Sequence, residues 1–504
     1  MRRIDHIPAR LAREAVERVV VRDGARSWTG TALEDAVVTA AQRLAAHGVR
    51  PGDRVVIVNE NSAALVVTIF ALSRIGAWPV IVNARLTAAE LDAIRAHCEP
   101  RLTLYTVEAS PAAAVHATRD GANIFDLGDI GAVAAGPTHE SAPAHDGDVA
   151  VLIYTSGTTG QPKGVMLTHG NLLFVAEMSG RVRRLSPADR VYAVLPIAHV
   201  FGLASVFLGT LFHGGELRLV PRFDAKEAAR ALDEDGITVF QGVPAMYARL
   251  LELAAQRGRP LPAPQLRYIS AGGAPLDPAI KARIETMWGA ALHNGYGLTE
   301  TAPTVTTTET DRPATDNSVG PALPGVELRI VDPATGRDAP TDAVGELWVR
   351  GPNVMKGYYR DPAATASVLL PDGWLRTGDL ARIDARGHLY IAGRLKELII
   401  RSGFNVYPPE VEAVLTTHPD VAIAAVLGRA VDGNEEVVAF VQPVAGRALD
   451  IEALKRFAAD RLAPYKRPSH YVVMDALPAT PAGKVLKARL AGELAALPRD
   501  HASA

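Results

Sequence analysis

Short runs of β-branched residues alternate with longer apolar or amphipathic stretches along most of the chain. From residue 53 the sequence reads DRVVIVNENSAALVVTIFALSRIGAWPVIVN, where two β-branched runs flank a helical stretch that ends near Gly76. This order is typical of a βαβ unit with parallel strands. Similar runs recur as VYAVLPI, ELRLVP, TVFQGVP and LRYISAG, each ending in small or turn-forming residues. Because open α/β sheets bind ligands at the carboxyl ends of their strands, the pattern predicts an α/β domain with its site there.

The pattern changes after about residue 305, where ELRIVD, GELWVRG and HLYIAG predict short strands of a small β-rich, barrel-like subdomain. Beyond Arg394, helical segments (VEAVLTTHPDV, IEALKRFAADRLAPYK) and strand-like segments (IAAVLGR, VVAFVQP) alternate again. We therefore expect an α/β fold with a large N-terminal domain of parallel-sheet subdomains over 1–393. The residues that follow are enough for a small separate α+β domain over 399–504.

The stretch YTSGTTGQPKGV, residues 154–165, follows an apolar run and is rich in glycine and in hydroxyl groups that could contact a phosphate, among them that of Tyr154. Glycines let backbone N–H groups turn toward an anion, and Lys163 adds a compact positive charge. The candidate phosphate-binding residues are Thr155, Ser156, Gly157, Thr158, Thr159, Gly160 and Lys163. Lys163 lies between Pro162 and Gly164, which does not match the P-loop of ordinary NTPases. A flexible linker between domains is the alternative interpretation of this composition.

Length, charge and cysteine content narrow the class of protein. A chain of 504 residues predicts two or more domains, and 53 Lys plus Arg against 55 Asp plus Glu give no footprint for nucleic acid. The single cysteine, Cys98, excludes an intramolecular disulfide and fits a cytoplasmic protein; we expect a partly buried thiol in a helix tail. Residues 191–215 lack charged side chains, but their Pro, Gly and His residues favour a buried strand and helix over a transmembrane segment.

Further motifs each allow a functional and a structural interpretation. NGYGLTE, residues 294–300, offers Glu300 as a Mg²⁺ ligand, because an ion that bridges phosphates needs only one or two carboxylates; a tight turn with a surface glutamate fits equally. SAGGAPL, residues 270–276, leaves room for a flat ring or forms a strand-to-helix turn. Asp379 and Arg394 could bind a ribose or form a surface ion pair.

Two single residues are ambiguous in the same way. Lys484 in LPATPAGKVLK lies in a turn from which a long cation could reach a cleft, although by residue type alone it is a solvated lysine. His199 in LPIAHVFG lies in an apolar segment, where a hydrogen-bonded core histidine is the default interpretation.

Taken together, these motifs resemble, in kind and order over residues 154–487, those of the adenylate-forming superfamily of acyl-CoA synthetases, aryl-CoA ligases, luciferases and peptide-synthetase adenylation domains. The resemblance implies an ATP-dependent acyl-CoA synthetase that uses Mg²⁺, ATP and CoA. A carboxylate and MgATP would give acyl-AMP and pyrophosphate, and the CoA thiolate would then displace AMP.

The resemblance also implies roles for individual residues. Tyr296 would stack on adenine, Thr299 would contact the α-phosphate and Glu300 would bind Mg²⁺. The other nucleotide-binding positions that it implies are Gly272, Gly273, Ala274, Asn294, Gly295 and Gly297, with Asp379 and Arg394 on the ribose. Lys484 would bridge the substrate carboxylate and the α-phosphate. Residues 394–398, with Lys396 as the hinge residue, would make the small C-terminal domain mobile. Ser402, Gly403 and Phe404 would line the CoA tunnel. The acyl pocket would contain His199, Phe201, Ser205, Val243 and Met246, with His199 as its gate. The catalytic residues that the resemblance implies are Lys484, His199, Thr299 and Glu300.

The acid is less well specified than the reaction. The pocket segments are small and aliphatic and carry no Arg or Lys, which disfavours a diacid and favours a medium- or long-chain fatty acid. An aryl acid such as benzoate or a cinnamate is the alternative. Two alternative functions are an acyl-AMP ligase that loads a carrier protein and a non-catalytic nucleotide-binding scaffold. A homodimer is a further hypothesis.

Overall fold

The computed structural model describes residues 1–142, 144, 146–156, 162–401, 404–431, 434–479 and 485–494. The chain divides into two compact units. The first consists of Met1–Leu328 and Val349–Leu375, and the second of Arg329–Trp348 and Arg376–Ala504. The domain boundary and hinge at 394–398 stay a prediction.

Within the described residues, the strands up to residue 307 are β1 Val19–Asp23, β2 Arg26–Thr29, β3 Arg54–Asn59, β4 Trp78–Asn83, β5 Leu102–Tyr105, β6 Asn123–Phe125, β7 Val133–Ala135, β8 Val149–Ser156, β9 Pro162–Thr168, β10 Arg190–Ala193, β11 Glu216–Leu219, β12 Val239–Gly242, β13 Tyr268–Ala271, β14 Leu292–Gly297 and β15 Thr304–Thr307. The later strands are β16 Glu327–Val331, β17 Gly345–Arg350, β18 Gly357–Tyr358, β19 Leu375–Ile383, β20 Leu389–Arg394, β21 Ile399–Arg401, β22 Phe404–Val406, β23 Val421–Val431, β24 Asn434–Pro443 and β25 His470–Val473.

The α-helices are α1 His6–Glu14, α2 Gly30–Ala46, α3 Ala63–Ile75, α4 Ala88–Cys98, α5 Pro111–Arg119, α6 His169–Val182, α7 Gly209–Phe212, α8 Ala225–Glu234, α9 Pro244–Arg257, α10 Pro278–Trp288, α11 Pro362–Val368, α12 Pro408–Thr416, α13 Ile451–Ala459 and α14 Lys487–Leu494. A π-helix spans Phe201–Leu208, and short 3₁₀ turns span Thr299–Thr301, Leu395–Glu397 and Pro464–Lys466.

The first unit contains two eight-stranded sheets, in the orders β15-β14-β13-β12-β10-β11-β1-β2 and β18-β9-β8-β4-β3-β5-β7-β6. The central strands are parallel and antiparallel strands lie at the edges. Side chains from both sheets join α2, α3, α6 and the π-helix in one hydrophobic core. Helices α8, α9 and α10 cover the other face of the first sheet, and α4 and α5 that of the second. The predicted α/β architecture is confirmed.

The first predicted βαβ unit shows why the sequence folds this way. The Ser62 side chain accepts a hydrogen bond from the Leu65 N–H and caps α3, and Gly76 ends the helix at φ +85°, where glycine is favoured. Strands β3 and β4 then pair in parallel. Because α3 packs between the two sheets, its residues 63–73 are all buried, which explains a helix without a polar face.

The second unit contains most of the four-stranded sheet β16-β17-β19-β20, the β21-β22 hairpin and the three-stranded sheet β23-β24-β25. Helices α12 and α13 pack on β23 and β24. The predicted helix IEALKRFAADRLAPYK is shorter than expected, because α13 ends at Ala459 and a separate 3₁₀ turn follows.

The charge-free run 191–215 forms the end of β10, the π-helix and α7, as the buried strand and helix predicted from its composition. Among the described residues, no helix is long and apolar enough to cross a bilayer.

Candidate active site

The described residues at the two ends of the glycine-rich motif lie on antiparallel strands. Strand β8 runs to Ser156 and β9 starts at Pro162, with Thr155 paired to Lys163. The two ends of the motif therefore lie in strands, whereas the sequence predicted a loop throughout. Gly157, Thr158, Thr159 and Gly160 lie outside the described residues.

Tyr154 does not supply its hydroxyl to this motif, contrary to expectation. Its hydroxyl is 2.7 Å from His97 Nδ1, and its partly buried ring packs against the core cluster on the α4 side of the second sheet. Strand alternation explains the difference, because successive side chains point to opposite faces.

The structure brings Lys163 and Glu300 together through Tyr358. The Lys163 ammonium lies 4.9 Å from the centre of the Tyr358 ring, within range of a cation–π interaction. The Tyr358 hydroxyl donates a hydrogen bond of 2.8 Å to Glu300 Oε1. Burial of the phenol and the adjacent Glu300 carboxylate raise the pKa of Tyr358, so it remains a donor at neutral pH.

The backbone fixes each member of this cluster. Tyr358 pairs with Val165 of β9, and the next residue donates from its N–H to the Gly164 carbonyl at 2.7 Å. The Glu300 carbonyl accepts a hydrogen bond of 2.8 Å from the Met355 N–H. Tyr358 is not among the site residues predicted from the sequence, because its contact with Glu300 joins positions far apart in the chain.

The NGYGLTE motif forms the end of β14 and the 3₁₀ turn that contains Thr299 and Glu300. A Cβ at Gly297 would overlap the carbonyl oxygen of Pro303, the residue before β15, so this position requires glycine. The Asn294 side chain accepts a hydrogen bond of 3.0 Å from the Gly295 N–H. Tyr296 lies between them, paired with Thr306 and half-buried.

The second glycine motif follows β13. Gly272 is buried, and a Cβ added there would lie 3.0 Å from the Phe201 ring. Gly273 has φ +79°, in the left-handed region that favours glycine, and with Ala274 it is exposed. The SAGGAPL segment is thus both a strand-to-helix connection and a surface that the Phe201 ring can approach.

The predicted acyl-pocket residues belong to one region of the first unit. Phe201, Val243 and Met246 are partly buried and pack against the core cluster that contains the π-helix. His199 is exposed rather than a core histidine, and its Nδ1 accepts a hydrogen bond of 3.2 Å from the Phe201 N–H. Ser205 is buried, with its hydroxyl 3.0 Å from that of Thr304.

A buried arginine was not anticipated beside this pocket. Arg183 is only 4% exposed and donates from Nη1 to the Ser205 carbonyl at 3.1 Å. Burial lowers the pKa of its guanidinium, against the effect of Tyr268. The pocket segments named from the sequence carry no cation, but a neighbouring segment places one against the π-helix.

In the second unit, Asp379 and Arg394 lie opposite each other on β19 and β20, and their side chains form an ion pair of 3.1 Å. The two predicted ribose ligands are thus adjacent. Lys396 lies in the 3₁₀ turn Leu395–Glu397, where burial lowers its pKa. Phe404 is exposed and its ring stacks on Tyr465 at 4.6 Å. Ser402, Gly403 and Lys484 lie outside the described residues.

Cys98 was expected to be partly buried, and it is fully buried. Burial raises the pKa of its thiol to about 12, so it stays protonated. The described residues contain no group of three or more His, Cys, Asp and Glu that could hold a metal ion. The half-buried Glu300, with Lys163 nearby, does fit an ion that takes most of its ligands from phosphate and water.

Comparisons with known proteins give this geometry its context. The family model described as AMP-binding enzyme matches residues 8–359, and the model of the AMP-binding enzyme C-terminal domain matches residues 410–484. The chain belongs to the AMP-binding enzyme family. It has the adenylate-forming fold and is an acid–thiol ligase, an enzyme that joins a carboxylic acid to CoA.

Several relatives that are named for different acids resemble the chain. A feruloyl-CoA synthase from Amycolatopsis sp is 37% identical over 484 residues, covering 95% of this chain and 96% of the relative. A long-chain-fatty-acid–CoA ligase from Bacillus subtilis is 39% identical over 354 residues, covering 70% and 62%. The O-succinylbenzoate CoA synthetase from Bacillus subtilis, in complex with ATP and magnesium, has a TM-score of 0.83 and 29% identity, covering 96% and 99%.

Proposed function

We propose that the chain is an AMP-forming aryl-CoA ligase that activates an aromatic carboxylic acid in two steps. An oxygen of the acid attacks the α-phosphorus of ATP, the bond to the β-phosphate breaks, and pyrophosphate leaves the acyl-AMP. The sulfur of the CoA thiolate, its proton released to solvent, then attacks the acyl carbon. The bond to the AMP oxygen breaks, giving thioester and AMP.

The cluster of Lys163, Tyr358 and Glu300 is the single observation that best supports the nucleotide chemistry. It places a cation and a carboxylate around one phenol at the base of the glycine-rich motif. Lys163 would bind phosphate oxygens, and Tyr358 would hold the Glu300 carboxylate in position for the metal. Mg²⁺, when bound, neutralises phosphate charge and makes pyrophosphate a better leaving group.

Tyr296, with the surfaces of Gly272, Gly273 and Ala274, would receive the adenine ring. Asn294 and Gly295 would shape that surface, and Gly297 allows the Thr299 turn to approach the α-phosphate. Asp379 would accept the ribose hydroxyls, with Arg394 orienting its carboxylate through their ion pair.

An aromatic acid is favoured over the fatty acid that composition suggested. The feruloyl-CoA and succinylbenzoate enzymes both act on aromatic acids by name, and each aligns with more than nine-tenths of this chain. The Phe201 ring against Gly272 provides a flat aromatic wall. The long-chain relative supports a fatty acid as the second candidate substrate.

The C-terminal residues would divide the two steps. Lys484 would stabilise the charge that grows between the carboxylate and the α-phosphate. Ser402, Gly403 and Phe404 would line the path of the CoA thiol, with Lys396 as the hinge between the two arrangements.

The test separates the half-reactions. Lys484→Ala is expected to lose acid-dependent ATP–pyrophosphate exchange by about 100-fold or more while it still converts supplied aryl-AMP and CoA to thioester. Equal loss of both activities contradicts the division of roles. Exchange supported by palmitate but by no aromatic acid contradicts the aryl assignment.

A further inference from the structure

Two buried polar side chains lie side by side at the carboxyl end of the first sheet. Gln241 of β12 pairs in register with Ser270 of β13, which in turn pairs with His293 of β14. Neighbours in register point to the same face of a parallel sheet. Gln241 is 0% exposed and Ser270 is 5% exposed.

Neither side chain finds a polar partner within the described residues. Both amide atoms of Gln241 and the Ser270 hydroxyl are buried without a hydrogen bond there. His293, the third member of the row, does have one, because its Nδ1 lies 3.1 Å from the Thr308 hydroxyl. Buried polar groups are nearly always hydrogen-bonded, so two adjacent exceptions indicate a function.

The shared face lies on the π-helix side of the first sheet. Val239 and Tyr268, two residues earlier on the same strands, join the core cluster of the π-helix, whereas Phe240 and Ile269 join the cluster on the opposite face. Strand alternation therefore places Gln241 and Ser270 on the π-helix side. The residue that follows Gln241 leads directly to Val243, which contacts the same cluster.

We propose that Gln241 and Ser270 form the polar end of the acyl pocket and select an acid with a neutral hydrogen-bonding substituent, such as a ring hydroxyl, far from its carboxylate. This inference rests on the proposed aryl-CoA ligase function. An amide and a hydroxyl both donate and accept, which matches a phenol.

A second carboxylate would instead require a free cation. Arg183, the buried cation beside the π-helix, already donates to the Ser205 carbonyl. The pair Gln241 and Ser270 carries no charge of its own. The chemistry of this end of the pocket therefore favours a neutral substituent over a diacid.

The experiment compares matched acids by thioester formation with ATP and CoA: 4-hydroxycinnamate against cinnamate, and 4-hydroxybenzoate against benzoate. The wild-type enzyme is expected to have a kcat/KM at least about 10-fold higher for the hydroxylated member of a pair. Gln241→Met is expected to remove that preference, with the loss confined to the hydroxylated acid. Ser270→Ala is expected to reduce it in part.

Ser179→Ala is the matched control for Ser270→Ala, because Ser179 is also buried with an unpartnered hydroxyl within the described residues but lies on α6. It should leave the preference unchanged. Gln241→Met should fold at least as stably as the wild type, because it removes an unpartnered amide from the core.

The inference is overturned if the wild type has equal kcat/KM values for the two acids of each pair. It is also overturned if Gln241→Met lowers kcat/KM equally for both acids. Either result leaves the aryl-CoA ligase function intact. A preference for a dicarboxylate that survives Gln241→Met overturns it as well. Absence of thioester from every aromatic acid overturns the proposed function, and the inference with it.

Discussion

Replacing Tyr358 by Phe removes one hydroxyl and keeps the ring beneath Lys163. The hydroxyl donates to Glu300 Oε1 at 2.8 Å, and Tyr358 is 8% exposed, so water has little access to replace it. A hydrogen bond to a charged group contributes about 1.5 to 3 kcal/mol. At 1.4 kcal/mol per factor of ten, the loss of this hydrogen bond should weaken the affinity of Glu300 for the metal ion by about 10- to 100-fold.

The assay is acid-dependent ATP–pyrophosphate exchange at fixed ATP across a Mg²⁺ titration. Tyr358→Phe is expected to raise the half-saturating Mg²⁺ concentration about 10-fold or more, while KM for the acid changes less than about twofold, because the acid pocket is untouched. Tyr359→Phe is the matched control: Tyr359 is also 8% exposed, but its ring packs against Trp78 and His97 rather than Lys163.

Two results refute this reasoning. An unchanged Mg²⁺ dependence in Tyr358→Phe means that Glu300 is positioned without the phenol. A lower half-saturating concentration means that the phenol competes with the ion for the carboxylate instead of orienting it.

Three further predictions follow from other parts of the structure. Gly272→Ala places a Cβ 3.0 Å from the Phe201 ring, so KM for the acid should rise about 10-fold in steady-state assays. An unchanged KM would contradict a role of this contact in acid binding. Lys487→Met removes the ammonium that lies 2.9 Å from Glu397 and 2.8 Å from Glu412. Chemical denaturation should show that the free energy of unfolding falls by about 2 kcal/mol. An unchanged free energy of unfolding would mean that the two carboxylates relax into water. Burial lowers the pKa of both His169 and His293 to about 4, below the value of about 6.5 in the unfolded chain. Their contribution to the free energy of unfolding is therefore complete above pH 6.5 and is lost as the pH falls toward 4. Denaturation at pH 5 should therefore show a loss of about 2 kcal/mol for each, with a smaller pH dependence in His169→Asn; equal dependence in that variant contradicts the assignment.

The sequence predicted local order well because periodicity and turn chemistry act over short distances. The alternation around Gly76 specified strand, helix and strand, and the structure has all three with a left-handed Gly76 at the helix end. The glycines of NGYGLTE and SAGGAPL also lie where close approach or a positive φ demands them.

Contacts between distant segments were not predictable in the same way. Tyr358 reaches Glu300 only because β18 pairs with β9, a pairing that no local pattern encodes. The sequence alone predicts Arg183 as an exposed charge at a helix end, but in the structure it is buried against the π-helix. Gln241 did leave a signal, since a glutamine within the apolar run TVFQGVP predicts either a partner or a ligand in the core.

The most direct test of the central claim is to identify the products that purified protein forms from MgATP, CoA and a mixed panel of aromatic and fatty acids, by mass spectrometry. We predict an aryl-CoA thioester together with equal amounts of AMP and pyrophosphate. Acyl-AMP that accumulates without thioester, or thioesters of octanoate to palmitate with none from aromatic acids, contradicts the account.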